Sequence, residues 1–94
     1  MKVEFGQFIW DYEKEQINIT KHGIDFFYAC KVFKDHCRLV LRDEKHSAGE
    51  DRYFCIGKVE ETVTTVRFTI RGNQIRIIGA GFWRLGKKIY EEKS

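Results

Sequence analysis

Asn18 stands four residues after Lys14 and three and four before Lys21 and His22, so on a helix they share one side and gather two ammonium groups and an imidazole there. His22 is the one of these whose ordinary titration lies near neutrality, which suits proton transfer, while the lysines suit an anion. The helix that must carry them runs from Tyr12 to His22. Asp11 stands at its N-cap, and Gly23 supplies the left-handed residue that ends it. A solvated, well-capped basic face is the plain alternative for the same residues, with His22 and Lys21 answering the helix dipole.

A second group of cations lies in the C-terminal third. From Thr62 to Tyr90 the chain holds Arg67, Arg71, Arg76, Arg84, Lys87 and Lys88 and no Asp or Glu. The net charge of only +3 is less telling than this asymmetry, which suits a polyanion-binding surface. Gly72-Asn73 between two β-rich runs signals a two-residue hairpin. That turn pairs Arg71 with Gln74, Ile70 with Ile75, Thr69 with Arg76, Phe68 with Ile77 and Arg67 with Ile78. Val66, Phe68, Ile70, Ile75 and Ile77 then share the core face, and Arg67, Thr69, Arg71, Gln74 and Arg76 share the other. Arginine holds two phosphate oxygens with a planar fork and keeps its charge at any working pH. The expectation is that Arg71 and Arg76 project together from an uncovered sheet face toward Lys21 and His22.

The elements around these residues read as one α+β domain over residues 1–94. Phe8 to Trp10 suits a brief strand or a segment packed across the sheet, and Asp25 caps a second helix whose Phe26, Ala29, Cys30 and Phe33 form a buried stripe. Strands are predicted at Arg38–Arg42, Asp51–Gly57, Thr62–Arg71 and Gln74–Ala80, with a closing helix from Phe82 to Glu92 buried through Phe82, Leu85 and Ile89. Gly86 inside that helix implies fraying or a close contact. Consecutive strands with short links predict a small antiparallel sheet, with two N-terminal helices and a C-terminal helix packed on one face.

Apolar residues at 43% and aromatics at 15% are ample for a single core. No apolar run reaches the length of a membrane span, and no signal-like segment opens the chain, so a cytoplasmic location is expected. Cys30, Cys37 and Cys55 have neither zinc nor redox spacing and are expected as reduced thiols. His36-Cys37 lacks further ligands, so neither a metal nor a cofactor is expected. The Asn18-Ile19-Thr20 sequon falls inside a helix.

The string Trp10-Asp11, Lys14, Asn18 and Lys21-His22-Gly23-Ile24 resembles the start of the BrnT family, the toxin half of a bacterial type II toxin–antitoxin pair. The likeness continues through Glu50, Arg52, Ile56 and Gly57, which look like an E-x-R-x-x-x-I-G segment. Val66, Phe68, Thr69 and Arg71, then Arg76-Ile77-Ile78 and Ala80, look like V-x-F-T-x-R and R-I-I-S-A-R strands, and Tyr90 matches a tyrosine of the closing helix. This resemblance implies a RelE-like fold and a metal-independent endoribonuclease that blocks translation. It further implies a BrnA-like ribbon-helix-helix antitoxin bound in a hetero-oligomer, with operator DNA reached only through that partner.

RNA supplies its own nucleophile, the 2′-hydroxyl, so cleavage needs a base, cations for the pentavalent phosphate and an acid for the leaving oxygen. The candidates are His22, Glu50, Arg71, Arg76 and Tyr90 for catalysis, and Lys14, Lys21, Arg52, Arg67, Trp83 and Arg84 for RNA binding. Trp83 offers a surface on which a base can stack. Each also has a plainer role: His22 at the helix end, Glu50 paired with Arg52, Tyr90 at the core rim. The chain departs from the family pattern at Gly79, Gly81, Trp83 and Gly86, where a serine, an arginine, a small residue and a glutamate are usual. Those departures leave a non-catalytic nucleic-acid or protein-binding module of the same fold as the alternative.

Overall fold

A computed structural model describes residues 1–93 as six strands and three helices. Strands β1 (Lys2–Phe5) and β2 (Phe8–Asp11) lead into α1 (Tyr12–His22) and α2 (Phe26–Val32). Strand β3 (Leu39–Arg42), a single 3-10 turn (Glu44–His46), β4 (Arg52–Val59), β5 (Thr62–Arg71) and β6 (Gln74–Gly81) follow, and α3 (Arg84–Lys93) closes the described chain. The strands form one sheet in the order β1-β2-β6-β5-β4-β3.

That sheet is larger than the sequence predicts, and it is mixed. β2 runs parallel to β6 through Phe8–Ile75 and Ile9–Arg76, whereas every other neighbouring pair is antiparallel. The hairpin Lys2 to Asp11 has weak β patterning, and its parallel contact joins distant stretches of sequence, so local periodicity gives no sign of it.

The two sheet faces differ. Cys55, Val66, Phe68, Ile77 and Ala80 meet Trp10, Ile24 and the α2 residues Phe26, Ala29, Cys30 and Val32 in the main core. Trp10 is 1% exposed and stands edge-on to Phe26 and Phe27. Gly57 faces α2 so closely that a Cβ there would sit 2.9 Å from the Val32 carbonyl oxygen. On the opposite face, Ile56 and Val63 pack against Tyr90 of α3. The helices therefore flank both faces, and the expected one-sided arrangement is corrected: α3 crosses to the far side because its buried residues are Gly86 and Tyr90, not Phe82 and Leu85. Those two are 52% and 68% exposed.

Polar groups hold α1 in place. β2 pairs with only the start of β6, and α1 takes over that edge, where Asn18 Oδ1 accepts from the Ala80 N–H at 3.0 Å. Asn18 Nδ2 donates to the Ile24 carbonyl at 3.0 Å. Glu15, 5% exposed, accepts from Trp10 Nε1 at 3.0 Å and from the Phe26 N–H at 2.9 Å. A buried carboxylate with two N–H donors avoids the cost of an unpaired charge. Ile17 and Ile19 are meanwhile exposed. Asp11 takes the N-cap position without a side-chain cap bond, whereas Asp25 caps α2 as predicted, accepting from the Tyr28 N–H at 2.7 Å.

Candidate active site

The face of the sheet opposite α2 is covered by α3 only at the Ile56–Thr65 end, so the arginines of β4, β5 and β6 stand on an open surface. The hairpin register follows the sequence reading from Arg71–Gln74 to Phe68–Ile77. It then breaks. A β-bulge sets Arg67 opposite Gly79, and Ile78 becomes the extra residue. The predicted Arg67–Ile78 pair is thus corrected, and the bulge re-aims the neighbouring side chains.

Its consequence is local. An added Cβ at Gly79 would lie 2.9 Å from Arg67 Nη2 and 3.4 Å from Nε, so the guanidinium passes directly over a position that lacks a side chain. Arg67 Nε is buried without a hydrogen-bond partner. Its Cζ lies 6.0 Å from the centroid of Trp83, and that indole covers Gly81 so tightly that a Cβ there would overlap the ring. The His22 ring meets Trp83 edge-on at 5.4 Å. Arg67 and His22 line a recess of about 250 Å³ together with Lys14, Lys21 and Asn18.

Arg71 and Arg76 line a different recess, of about 350 Å³, with Gln74, Ile9 and Asp11. At about 3.4 Å per residue, Arg67 and Arg71 are roughly 14 Å apart along β5. The expected grouping of Arg71 and Arg76 with Lys21 and His22 is therefore not what the fold builds; Arg67 occupies that place.

Glu50 joins two of the predicted residues. Its carboxylate lies 3.4 Å from Arg52 Nη2 and 3.4 Å from Arg71 Nη2. Thr69 fixes this end by donating from Oγ1 to the Asp51 carbonyl at 2.6 Å. The loop before it is clamped by Ser47, whose Oγ donates to the Asp43 carbonyl at 2.6 Å and accepts from the Arg52 N–H at 3.0 Å. Asp43 accepts from the His46 N–H and lies 3.0 Å from its ring Nδ1.

Tyr90 stands apart from these groups. It is 5% exposed, and its hydroxyl donates to Asp35 Oδ2 at 2.6 Å. That bond, with burial second, pushes the phenol up to about 12. Arg84, the first residue of α3, is exposed beside Trp83 in sequence. Trp83 also borders an apolar groove of about 480 Å³ lined by Phe54, Ile56, Leu85 and Ile89. Sequence reasoning missed the structural work of Asn18 and Glu15 and the bulge at Ile78. The two glycines at 79 and 81 were the available signal for a close approach.

No curated protein matches the chain by sequence. A family model described as the ribonuclease toxin BrnT of type II toxin–antitoxin systems matches residues 10–84. That span runs from the end of β2 to the start of α3 and contains Arg67, Arg71, Arg76, Glu50 and Trp83. By this match the chain belongs to the BrnT family of ribonuclease toxins.

Proposed function

We propose that this chain is a cytoplasmic, metal-independent endoribonuclease of one RelE-like domain, which cuts RNA by 2′-hydroxyl attack and thereby inhibits translation. The observation that carries the reading is the open sheet face, where Arg52, Arg67, Arg71 and Arg76 alternate with Thr69 while a basic helix end borders one side. RNA laid along that face meets guanidinium groups able to hold nonbridging oxygens and to answer the charge of a pentavalent phosphate. Arg71 and Arg76 hold the strand at the hairpin end.

His22 is the proton-transfer group in this reading, because Glu50 already faces two guanidinium groups and serves to place Arg52 and Arg71. Lys14 and Lys21 add charge beside His22, and Arg84 extends it past Trp83. Tyr90, bonded to Asp35, lies outside the proposed chemistry. A BrnA-like ribbon-helix-helix antitoxin neutralises the toxin in a hetero-oligomer and carries it to operator DNA. Toxin–antitoxin membership supports a protein partner; its type is our inference.

The test is incubation of the purified chain with RNA, with and without EDTA, beside an Arg71→Ala, Arg76→Ala double variant. Cleavage that survives EDTA and is lost in the variant supports the reading. Salt-sensitive retention of RNA without cleavage overturns it in favour of a binding module.

A further inference from the structure

We propose that the recess between α1 and the β-bulge is a nucleotide subsite, in which Arg67 grips one phosphate of a single-stranded RNA and Trp83 stacks the adjoining base. This inference rests on the reading of the chain as an RNA-directed toxin and adds where the strand is read.

Charge favours an anion in this recess. Among the described residues, Glu50 lies beside Arg52 and Arg71, and Glu44 and Asp51 lie beside Arg42, whereas no carboxylate lies within ion-pair distance of Arg67, Lys14 or Lys21. These three cations and His22 converge on one recess whose lining has no acid. Like charges held together without an acidic neighbour repel, and an anion relieves that repulsion.

Arg67 itself needs an acceptor. A half-buried guanidinium whose Nε is shut off from solvent and bonded to nothing is costly unless something accepts from it. The bulge and Gly79 create this situation, since any side chain at 79 would displace the fork. A phosphate oxygen in the recess supplies the missing acceptor.

The indole beside Arg67 suits a base. Trp83 is half-buried, pinned against Gly81 and in a T-shaped contact with His22, so it is held in place while part of its surface remains accessible. Unpaired bases are recognised on such aromatic surfaces, and an arginine beside the ring couples base and phosphate recognition. At about 250 Å³ the recess is smaller than the roughly 300 to 1,000 Å³ of small-molecule sites, which fits a phosphate with its base lying outside on the ring.

The experiment titrates the full chain with a short single-stranded RNA carrying 2′-deoxy substitutions that block cleavage, reading indole emission and anisotropy of a labelled strand. Trp10 is buried, so an RNA-dependent change in emission reports Trp83. Arg67→Ala is expected to weaken binding about tenfold, and Arg67→Lys to restore only part of it, because an ammonium lacks the fork. Gly79→Ala keeps every charge but crowds the guanidinium, and it too is expected to weaken binding. Lys58→Ala, on β4 away from the recess, serves as the charge control, and circular dichroism confirms that each variant folds. Affinity unchanged within twofold in folded Arg67→Ala, or emission indifferent to RNA, overturns the subsite. Arg67-dependent binding by a chain that never cleaves RNA upholds the subsite while the nuclease reading falls; cleavage that depends on Arg71 and Arg76 but ignores Arg67 does the reverse.

Discussion

Tyr90 of α3 donates its hydroxyl to Asp35, in the segment after α2, at 2.6 Å, joining elements that approach the sheet from opposite faces. The same carboxylate accepts from the Lys58 N–H at 2.7 Å and the Cys37 N–H at 2.8 Å, so it ties the α2 exit, β4 and α3 into one cluster. Tyr90→Phe keeps the ring and removes this donor. It is expected to cost about 1.5–3 kcal/mol in urea denaturation, as for hydrogen bonds to charged groups, and to leave RNA cleavage by the folded protein unchanged. Loss of cleavage at full stability would return Tyr90 to the chemistry.

The cluster also sets a pH dependence with two limbs. Tyr90 is pushed up to about 12 from 10.0, so its native state holds the phenolic proton more tightly, and its contribution is complete below pH 10 and lost between 10 and 12. Burial alone would raise Asp35, but the Lys58 N–H, the Tyr90 hydroxyl and the Cys37 N–H together hold it below 3.8. Its contribution is therefore present above that value and lost as the pH falls through the lowered one. The difference in unfolding free energy between wild type and Tyr90→Phe, measured against pH, is expected to be flat at neutrality and to shrink at both extremes.

Asn18→Ala is expected to destabilise the protein by about 2–3 kcal/mol, because it leaves the Ala80 N–H and the Ile24 carbonyl without their side-chain partner. Hydrogen exchange at Ala80 should accelerate beyond the global change, which would separate detachment of α1 from general loosening.

Gly86→Ala offers a test of packing against propensity. Alanine should gain about 1 kcal/mol in a helix, but its Cβ would collide with Thr65 Oγ1 on β5. A net loss of about 1–3 kcal/mol is expected. Thr65→Ala added to Gly86→Ala should recover most of it, since the Thr65 hydroxyl is itself buried without a partner. Additive losses in the double variant would refute the contact.

His22→Ala is expected to reduce cleavage about 100-fold or more while RNA affinity changes only a few-fold, as for loss of a proton-transfer group. Glu50→Gln, by releasing Arg52 and Arg71, should instead raise RNA affinity at low salt and lower the cleavage rate less than His22→Ala. The reverse ranking would make Glu50 the base.

Much of this architecture can be read from local rules. α1 and its Gly23 stop, the Asp25 cap, β5 and the hairpin register near Gly72-Asn73 each depend on residues close in sequence. What escapes those rules depends on distance. Asn18 carries polar spacing that places it with Lys14 and Lys21, yet its partner is a strand edge reached only in the folded chain. The bulge follows from how β6 meets β5, so a uniform alternation of residues assigns Arg67 the wrong neighbour. The cation beside His22 is accordingly Arg67, not Arg71 or Arg76.

The parallel contact of Phe8 and Ile9 with Ile75 and Arg76 bears on how the protein is made. Synthesis proceeds from the N-terminus, so β2 must wait for its partner until nearly all the intervening chain has left the ribosome, and closing so long a loop is slow. The recess holding Arg71 and Arg76 contains Ile9 and Asp11, so it is completed only by that late event. A nascent chain thus lacks its assembled hairpin-end surface until β6 has emerged from the ribosome.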